Sequence, residues 1–201
     1  MSKKQNDGVS RRQFLKGSAL TAAGTTILNS GLLAQSGSPT SDAVGPGPVP
    51  VTMRINGKDL QLSVEPRTTL ADALRDTLHL TGTKIVCDRG ACSACTVWLD
   101  GLPVNSCLTF ALDVGKREVI TIEGLGTPDH MHPVQAAFVE YDAAQCGYCT
   151  PGMVMSTAAL LKSNPSATLD DVRHAVSGNL CRCGTYPKVF EAALAAARKG
   201  A

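Results

Sequence analysis

Eight cysteines fall into two sets of four, and no other feature of the chain limits its folding so strongly. The first set, Cys87, Cys92, Cys95 and Cys107, follows C-x4-C-x2-C-x11-C, with three members inside "VCDRGACSACTV" (86–97). The second, Cys146, Cys149, Cys181 and Cys183, follows C-x2-C-x31-C-x-C, within "QCGYCTPG" and "NLCRCGTY". Thiols crowded in this way bind a common group, react with one another or lie inert in a core. The first two cases require a fold that brings the loops of each set together.

Around the first set the pattern is that of strands. "VTMRI" and "LQLSV" alternate apolar and polar residues, and Asn56-Gly57 between them favours a tight primed turn. "PRTTLADALRD" carries a helix start at Thr68 or Thr69, with Leu70, Ala73 and Leu74 on one face. "CTVWL" and "LPVNSC" are joined by Asp100-Gly101, and "VITIEG" (119–124) is a further alternating strand. These segments predict a small mixed sheet with one helix across it, and Trp98 fits packing on that sheet.

Around the second set the period changes from two to about 3.6. Val134, Ala137, Phe138 and Tyr141 form one helical face, and Met153, Val154, Thr157, Leu160 and Leu161 a second. Leu169, Val172 and Val176 form a third, and Val189, Phe190, Ala193, Leu194 and Ala197 a fourth. Four short amphipathic helices make a bundle, so the whole is α+β. The cysteines occupy the breaks: Thr150 is the expected N-cap with Pro151 at the first helical position, Pro187 opens the last helix, and Thr168 to Asp171 cap the one between. Helix N-termini offer unpaired amides and a positive dipole end to an anionic group.

The first three cysteines match the plant-type [2Fe-2S] pattern. A loop wrapped around a cluster turns its amides toward the sulfurs; Gly90 can take the positive φ this needs, and Ala91, Ser93 and Ala94 add little bulk. Disulfides, a zinc site and inert core cysteines are the rival readings. The crowded spacing counts against disulfides within the loop, zinc ligands usually come as two similar pairs, and a C-x-C bridge is strained. A C-x2-C pair alone suits a thioredoxin-like site, but no such sheet surrounds it. Two complete quartets that use all eight cysteines favour two clusters. His79, His130, His132 and His174 are dispersed, which suits exposed or helix-capping roles.

"SRRQFLK" (10–16) precedes an apolar, small-residue stretch, Gly17 to Ala34, with the layout of a signal peptide. The paired Arg11 and Arg12 ahead of Phe14, Leu15 and Lys16 closely resemble the twin-arginine export motif; a general secretory signal or a basic tail are the alternatives. A stable membrane span is disfavoured, because the stretch falls short of about 20 strongly apolar residues. The leader is read as residues 1–34, with the cut left open from Ala34 through Ala43 to as late as residue 50, and residues 35–50, rich in Ser, Gly and Pro, as a flexible linker. Without residues 1–34 the chain keeps 14 of its 19 basic residues and 16 of its 17 acidic ones, a net charge of −2. Nucleic-acid binding therefore has no electrostatic footprint.

Together these residues resemble the two-cluster iron–sulfur subunit of the molybdenum hydroxylases, the xanthine dehydrogenase and aldehyde oxidoreductase family, from about residue 51 to residue 197. The exported bacterial aldehyde oxidoreductases are the most similar group. The resemblance implies a plant-type ferredoxin domain, β-grasp-like, at 51–126, followed by an all-α four-helix domain at 127–199, each with a [2Fe-2S] cluster. It implies an oxidoreductase subunit with no catalytic residue of its own. Substrate is oxidised at a molybdenum-pterin cofactor in a large partner subunit, and electrons pass through the helical-domain cluster, then the ferredoxin cluster, to an FAD subunit or another acceptor. The eight cysteines are the implied ligands, and Gln145 and Cys183 match positions that lie against the pterin. Val86 and Ser93 stand where many members have glycine, which implies a locally different loop.

A hydroxylase of N-heterocycles feeding a cytochrome is the nearest alternative, and a zinc- or disulfide-stabilised exported binding module the alternative of another class. Clusters are inserted in the reducing cytoplasm, so the cargo must fold before export. The twin-arginine translocase carries folded cargo to the periplasm, and a partner subunit without a leader could travel with it.

Overall fold

Five strands form one mixed sheet in the first half of the computed structural model, which describes residues 44–200 and, ahead of them, Arg12. The remainder of the expected leader and the start of the linker lie outside the described residues. β1 (Val49–Ile55) and β2 (Lys58–Val64) pair antiparallel, with Val49 opposite Val64. β1 thus begins two residues before the expected strand. Asn56 (φ 50°) and Gly57 (φ 77°) are both left-handed, as a primed turn demands.

Thr69 caps α1 (Leu70–Asp72) by accepting the Asp72 N–H at 3.1 Å, and the helix continues as a π-helical turn over Ala73–Thr77. Leu70, Ala73 and Leu74 are buried beneath it, against Met53, Ile55, Val64, Val97 and Val119 of the sheet, while the buried Ala71 packs on Cys95 and Cys107. β3 (Thr96–Leu99) and β4 (Leu102–Asn105) form the second hairpin, through Asp100 and Gly101 at positive φ. A 3₁₀ turn (Ser106–Leu108) and the short α2 (Ala111–Val114) lead to β5 (Glu118–Ile120). β5 pairs parallel with β1 and antiparallel with β3, giving the order β2-β1-β5-β3-β4.

The strand expected over 119–124 ends at Ile120. Asn56 Oδ1 accepts the Thr121 N–H (2.9 Å) and Asn56 Nδ2 donates to Thr121 Oγ1 (3.0 Å), which bends the chain into α3 (Ile122–Leu125). Four helices follow: α4 (Pro133–Glu140), α5 (Thr150–Ser163), α6 (Leu169–Ala175) and α7 (Tyr186–Arg198). α6 carries a reciprocal capping box between Thr168 and Asp171, and His132 with Gln135 forms another on α4. The expected cap of α5 shifts by one residue, from Thr150 to Cys149. Leu169, expected on an apolar face, is the first residue of α6 and is exposed, because the first turn projects past the bundle.

Every residue of α5 from Gly152 to Ala158 is buried. A single apolar stripe does not require this; the cause is that α5 lies between the sheet and the other helices, so both its faces are covered. Trp98 shows the same junction from the other side. It sits on β3, but its ring joins the helical core beside Met153, Val154 and Ala158, and its Nε1 donates to the Met155 carbonyl at 2.9 Å. Lys162 Nζ stands 5.2 Å from the ring centroid. Trp98 therefore fastens sheet to helices rather than packing on the sheet alone. No described helix is long and apolar enough to cross a membrane.

Trp98→Phe removes a buried donor and part of a ring, and should lower stability by roughly 1–3 kcal/mol in urea unfolding. His132 gives a pH signature. Its Nδ1 accepts the Val134 N–H at 3.2 Å, and burial holds its pKa below the ordinary 6.5. The folded state therefore favours the neutral ring, so this contribution is complete above the unfolded value and is lost as pH falls through the folded one. Unfolding measured from about pH 8 to about pH 5 should show that loss. His132→Asn, which caps without titrating, should flatten it.

Candidate metal centres

The loop between α1 and β3 holds the first three cysteines, and its shape comes from residues in the left-handed region. Asp88 (φ 51°), Gly90 (φ 70°) and Ser93 (φ 50°) turn successive peptide groups in opposite senses. Gly90 suits this turn because an L side chain is strained at its φ of 70°. The turns direct amides at sulfur: the Gly90 N–H donates to Cys107 Sγ and the Ala91 N–H to Cys87 Sγ, both at 3.3 Å. The loop is anchored to the 3₁₀ turn by Asn105 Nδ2 on the Gly90 carbonyl (3.2 Å) and by the buried Ser106 Oγ on the Cys95 carbonyl (2.7 Å).

All four thiols of this set converge. Cys92, Cys95 and Cys107 are buried and Cys87 half-buried, with Ala71 and Ile85 packed beneath. The Arg89 N–H, with the Cys92 thiol and the Ala91 and Cys92 amides, lowers Cys87 to about 7 against its burial. Burial, then the neighbouring Cys95 and Cys87 sulfurs, push Cys107 up to about 11 against the Gly90 N–H. Four thiolates so close cannot all ionise unaided; a cationic centre that displaces their protons removes the conflict.

The second set converges from two breaks in the helical half. Cys149 caps α5, and Cys146 lies three residues before it. Cys181 and Cys183 stand ahead of α7, where the N-cap Thr185 hydroxyl lies 3.1 Å from Cys181 Sγ and the Tyr186 hydroxyl accepts the Cys181 N–H at 2.9 Å. Cys183 and Cys146 sulfurs are 3.5 Å apart. Burial, then the neighbouring Cys181 and Cys146 sulfurs, push Cys149 up to about 12. Burial opposes ionisation of Cys181 too, but the Thr185 hydroxyl and amide, the Cys149 thiol and the Cys183 amide outweigh it and bring Cys181 to about 7.

Cys146, Cys183 and the neighbouring Gln145 are exposed, so this set opens at the surface. All eight cysteines are free thiols. Among the described residues no group of three or more Cys, His, Asp or Glu side chains is arranged to hold a single metal ion. Two sets of four sulfur donors, met by inward amides and helix N-termini, suit a thiolate-ligated cluster. His79, His130 and His174 are exposed, and His132 is a helix cap.

The two sets meet across the junction between sheet and helices. The Leu180 N–H donates to the Cys92 carbonyl at 3.1 Å, and Asn179 Nδ2 to the Ser93 carbonyl at 3.0 Å. α5 reaches the same loop at Gly152, where a Cβ would lie 2.3 Å from the Ser93 oxygen. Sequence reasoning missed Asn179 and Gly152, which act on Ser93 far away in the chain, and also Ser106, Thr185 and Tyr186, which act on cysteines 4 to 11 residues away. The only available signal was their adjacency to the cysteine motifs.

Residues 53–118 match the 2Fe-2S iron-sulfur cluster binding domain, residues 121–194 the [2Fe-2S] binding domain, and residues 8–27 the twin-arginine translocation pathway signal sequence. The aldehyde oxidoreductase iron-sulfur-binding subunit PaoA of Escherichia coli K12 is 45% identical, over 92% of this chain and 86% of its own. The nicotine 6-hydroxylase small subunit of Paenarthrobacter nicotinovorans is 45% identical over 73% of this chain and 88% of its own.

This chain belongs to the iron–sulfur subunits of the molybdenum hydroxylases. The crystal structure of quinoline 2-oxidoreductase from Pseudomonas putida 86 superposes with a TM-score of 0.71 at 43% identity, over 76% of this chain and 98% of that one. The fold is thus a plant-type ferredoxin domain followed by a helical [2Fe-2S] domain, in a subunit exported by the twin-arginine route to the periplasm. As a small subunit of such an enzyme it works with a large molybdenum subunit.

The two departures from the family's glycines now differ in meaning. Val86 has no left-handed φ and is exposed, so a side chain is accommodated. Ser93 keeps the conformation that favours glycine, at a cost of about 1 kcal/mol. Ser93→Gly should therefore stabilise the folded chain by up to about 1 kcal/mol, whereas Gly90→Ala should destabilise it by at least about 1–2 kcal/mol through left-handed strain alone. Thermal unfolding of both variants beside the parent checks the opposite signs.

Proposed function

We propose that this subunit carries electrons for a periplasmic molybdenum-pterin aldehyde oxidoreductase, entering at Cys146, Cys149, Cys181 and Cys183 and leaving from Cys87, Cys92, Cys95 and Cys107. Each quartet holds one [2Fe-2S] cluster, which accepts and passes on one electron at a time. The observation that carries this reading is the division of the sulfurs into two adjoining sets, one opening at the surface through Cys146 and Cys183, the other largely buried. The open set, with the exposed Gln145 beside it, is the face offered to the large subunit's pterin. Cys183 serves there as ligand and contact together. The acceptor beyond the buried set is an FAD subunit or another carrier.

The chain's own residues do three things in this scheme. The amides of Gly90 and Ala91 and the Thr185 hydroxyl stabilise negative sulfur, burial of Cys92, Cys95 and Cys107 excludes water, and the junction at Ser93 holds the two sets side by side. We assign residues 51–126 to the ferredoxin domain and 127–199 to the helical one; the sheet core lies within the first, and the buried helical core lies within the second apart from Trp98. The aldehyde reading rests on the similarity to PaoA, which extends over 92% of the chain and so reaches beyond the two cluster domains.

The full chain, purified anaerobically from the cytoplasm, should carry about four irons and four sulfides, with two distinct S = 1/2 signals after dithionite reduction. Cys95→Ser should remove one signal and Cys149→Ser the other; a colourless protein with zinc or four disulfides overturns the assignment. Arg11→Lys with Arg12→Lys should leave the whole complex in the cytoplasm. A large subunit still exported beside that variant sinks the idea that it travels on this leader through the translocase.

A further inference from the structure

Asn179 is a polar side chain only 2% exposed, and its partner belongs to the other half of the molecule. Its Nδ2 donates to the Ser93 carbonyl (3.0 Å), and the backbone carbonyl of Asn179 accepts the Tyr186 hydroxyl (3.1 Å), which in turn accepts the Cys181 N–H (2.9 Å). Next in the chain, the Leu180 N–H donates to the Cys92 carbonyl (3.1 Å). Cys92 and Cys181, one from each quartet, are therefore joined by one peptide hydrogen bond and the covalent backbone on either side of it.

The Ser93 carbonyl belongs to a left-handed residue, at φ 50°. It already accepts the Thr96 hydroxyl at 2.7 Å, so Asn179 is not needed to satisfy it. A group buried at the cost of desolvation, on an acceptor that has another donor, is better explained by where it holds the backbone. Gly152 limits the same spacing from α5, with no room for a Cβ between it and the Ser93 oxygen.

We infer that Asn179 is a positioning residue that sets the separation of the two quartets and keeps the Leu180 to Cys92 hydrogen bond as the shortest bonded connection between them. The inference rests on the ligand assignment above. Asn179 touches no sulfur in the structure, so its effect reaches the quartets only through Ser93, Cys92 and the backbone before Cys181.

The test uses the full chain loaded with iron and reduced with dithionite, read by low-temperature EPR. Two nearby S = 1/2 centres split one another's lines, and the dipolar part of that splitting falls with the inverse cube of their separation. Asn179→Ala should reduce the splitting or abolish it while both signals and the iron content persist. Gly152→Ala, which drives α5 and the loop apart without altering Asn179, should do the same and carries the test if Asn179→Ala fails to load. Val172→Ala, a core truncation in α6, should lose stability and keep the splitting.

Parental splitting in an iron-loaded Asn179→Ala or Gly152→Ala overturns the inference. So does the loss of iron from both, which makes the two residues structural only, and so does a parent with four irons and unsplit lines. A parent with no iron overturns instead the ligand assignment beneath it.

Discussion

The backbone of α5 comes against the first cysteine loop at Gly152, and the rest of the molecule is arranged around that approach. With no Cβ at this position, the Ser93 carbonyl and the Ala94 backbone lie where a side chain would stand. Trp98 reaches the same helix one turn further on, through the Met155 carbonyl, and fills the space between sheet and bundle. A helix held this closely on one side and by three helices on the other has no solvent face in its first turns. That explains why residues 152–158 are buried throughout.

The position of α5 also fixes electrostatics. Its N-cap is Cys149, so its unpaired amides and positive end lie at the second quartet, while its third residue packs on the first. The polar caps of α4, α6 and α7 behave differently from one another. His132 and Thr168 satisfy amides locally through reciprocal boxes, whereas Thr185 makes no side-chain cap bond and gives its hydroxyl to Cys181. The helix start that lacks its own side-chain cap is therefore the one whose side chain serves sulfur.

Much of this was readable in the chain because it depends on neighbours. Asn56-Gly57 and Asp100-Gly101 formed the two primed turns, the four helical faces became four helices, and Gly90 took its positive φ. The misreadings have a common origin. The strand expected to run to Gly124 stopped at Ile120 because Asn56, 65 residues earlier, captured Thr121. Trp98 was placed on the sheet because alternation gives the side of a strand and says nothing of what lies beyond it. Leu169 had the right period but too early a position, in a first turn that extends past its packing partners.

The sequence by itself determined the two quartets, the elements that flank them and the export signal, since spacing, turn chemistry and capping act over a few residues and need no knowledge of the whole. It also determined family membership, because two four-cysteine patterns in this order are too specific to arise from packing alone. Tertiary structure decided how the quartets stand to one another: which opens to the surface, which is buried, and which polar groups hold them side by side. Asn179, Ser93 and Gly152 carry no mark of this in the chain. Their role arises when segments 86 residues apart are brought to 3.0 Å, and only the packing of α5 against the sheet brings them there.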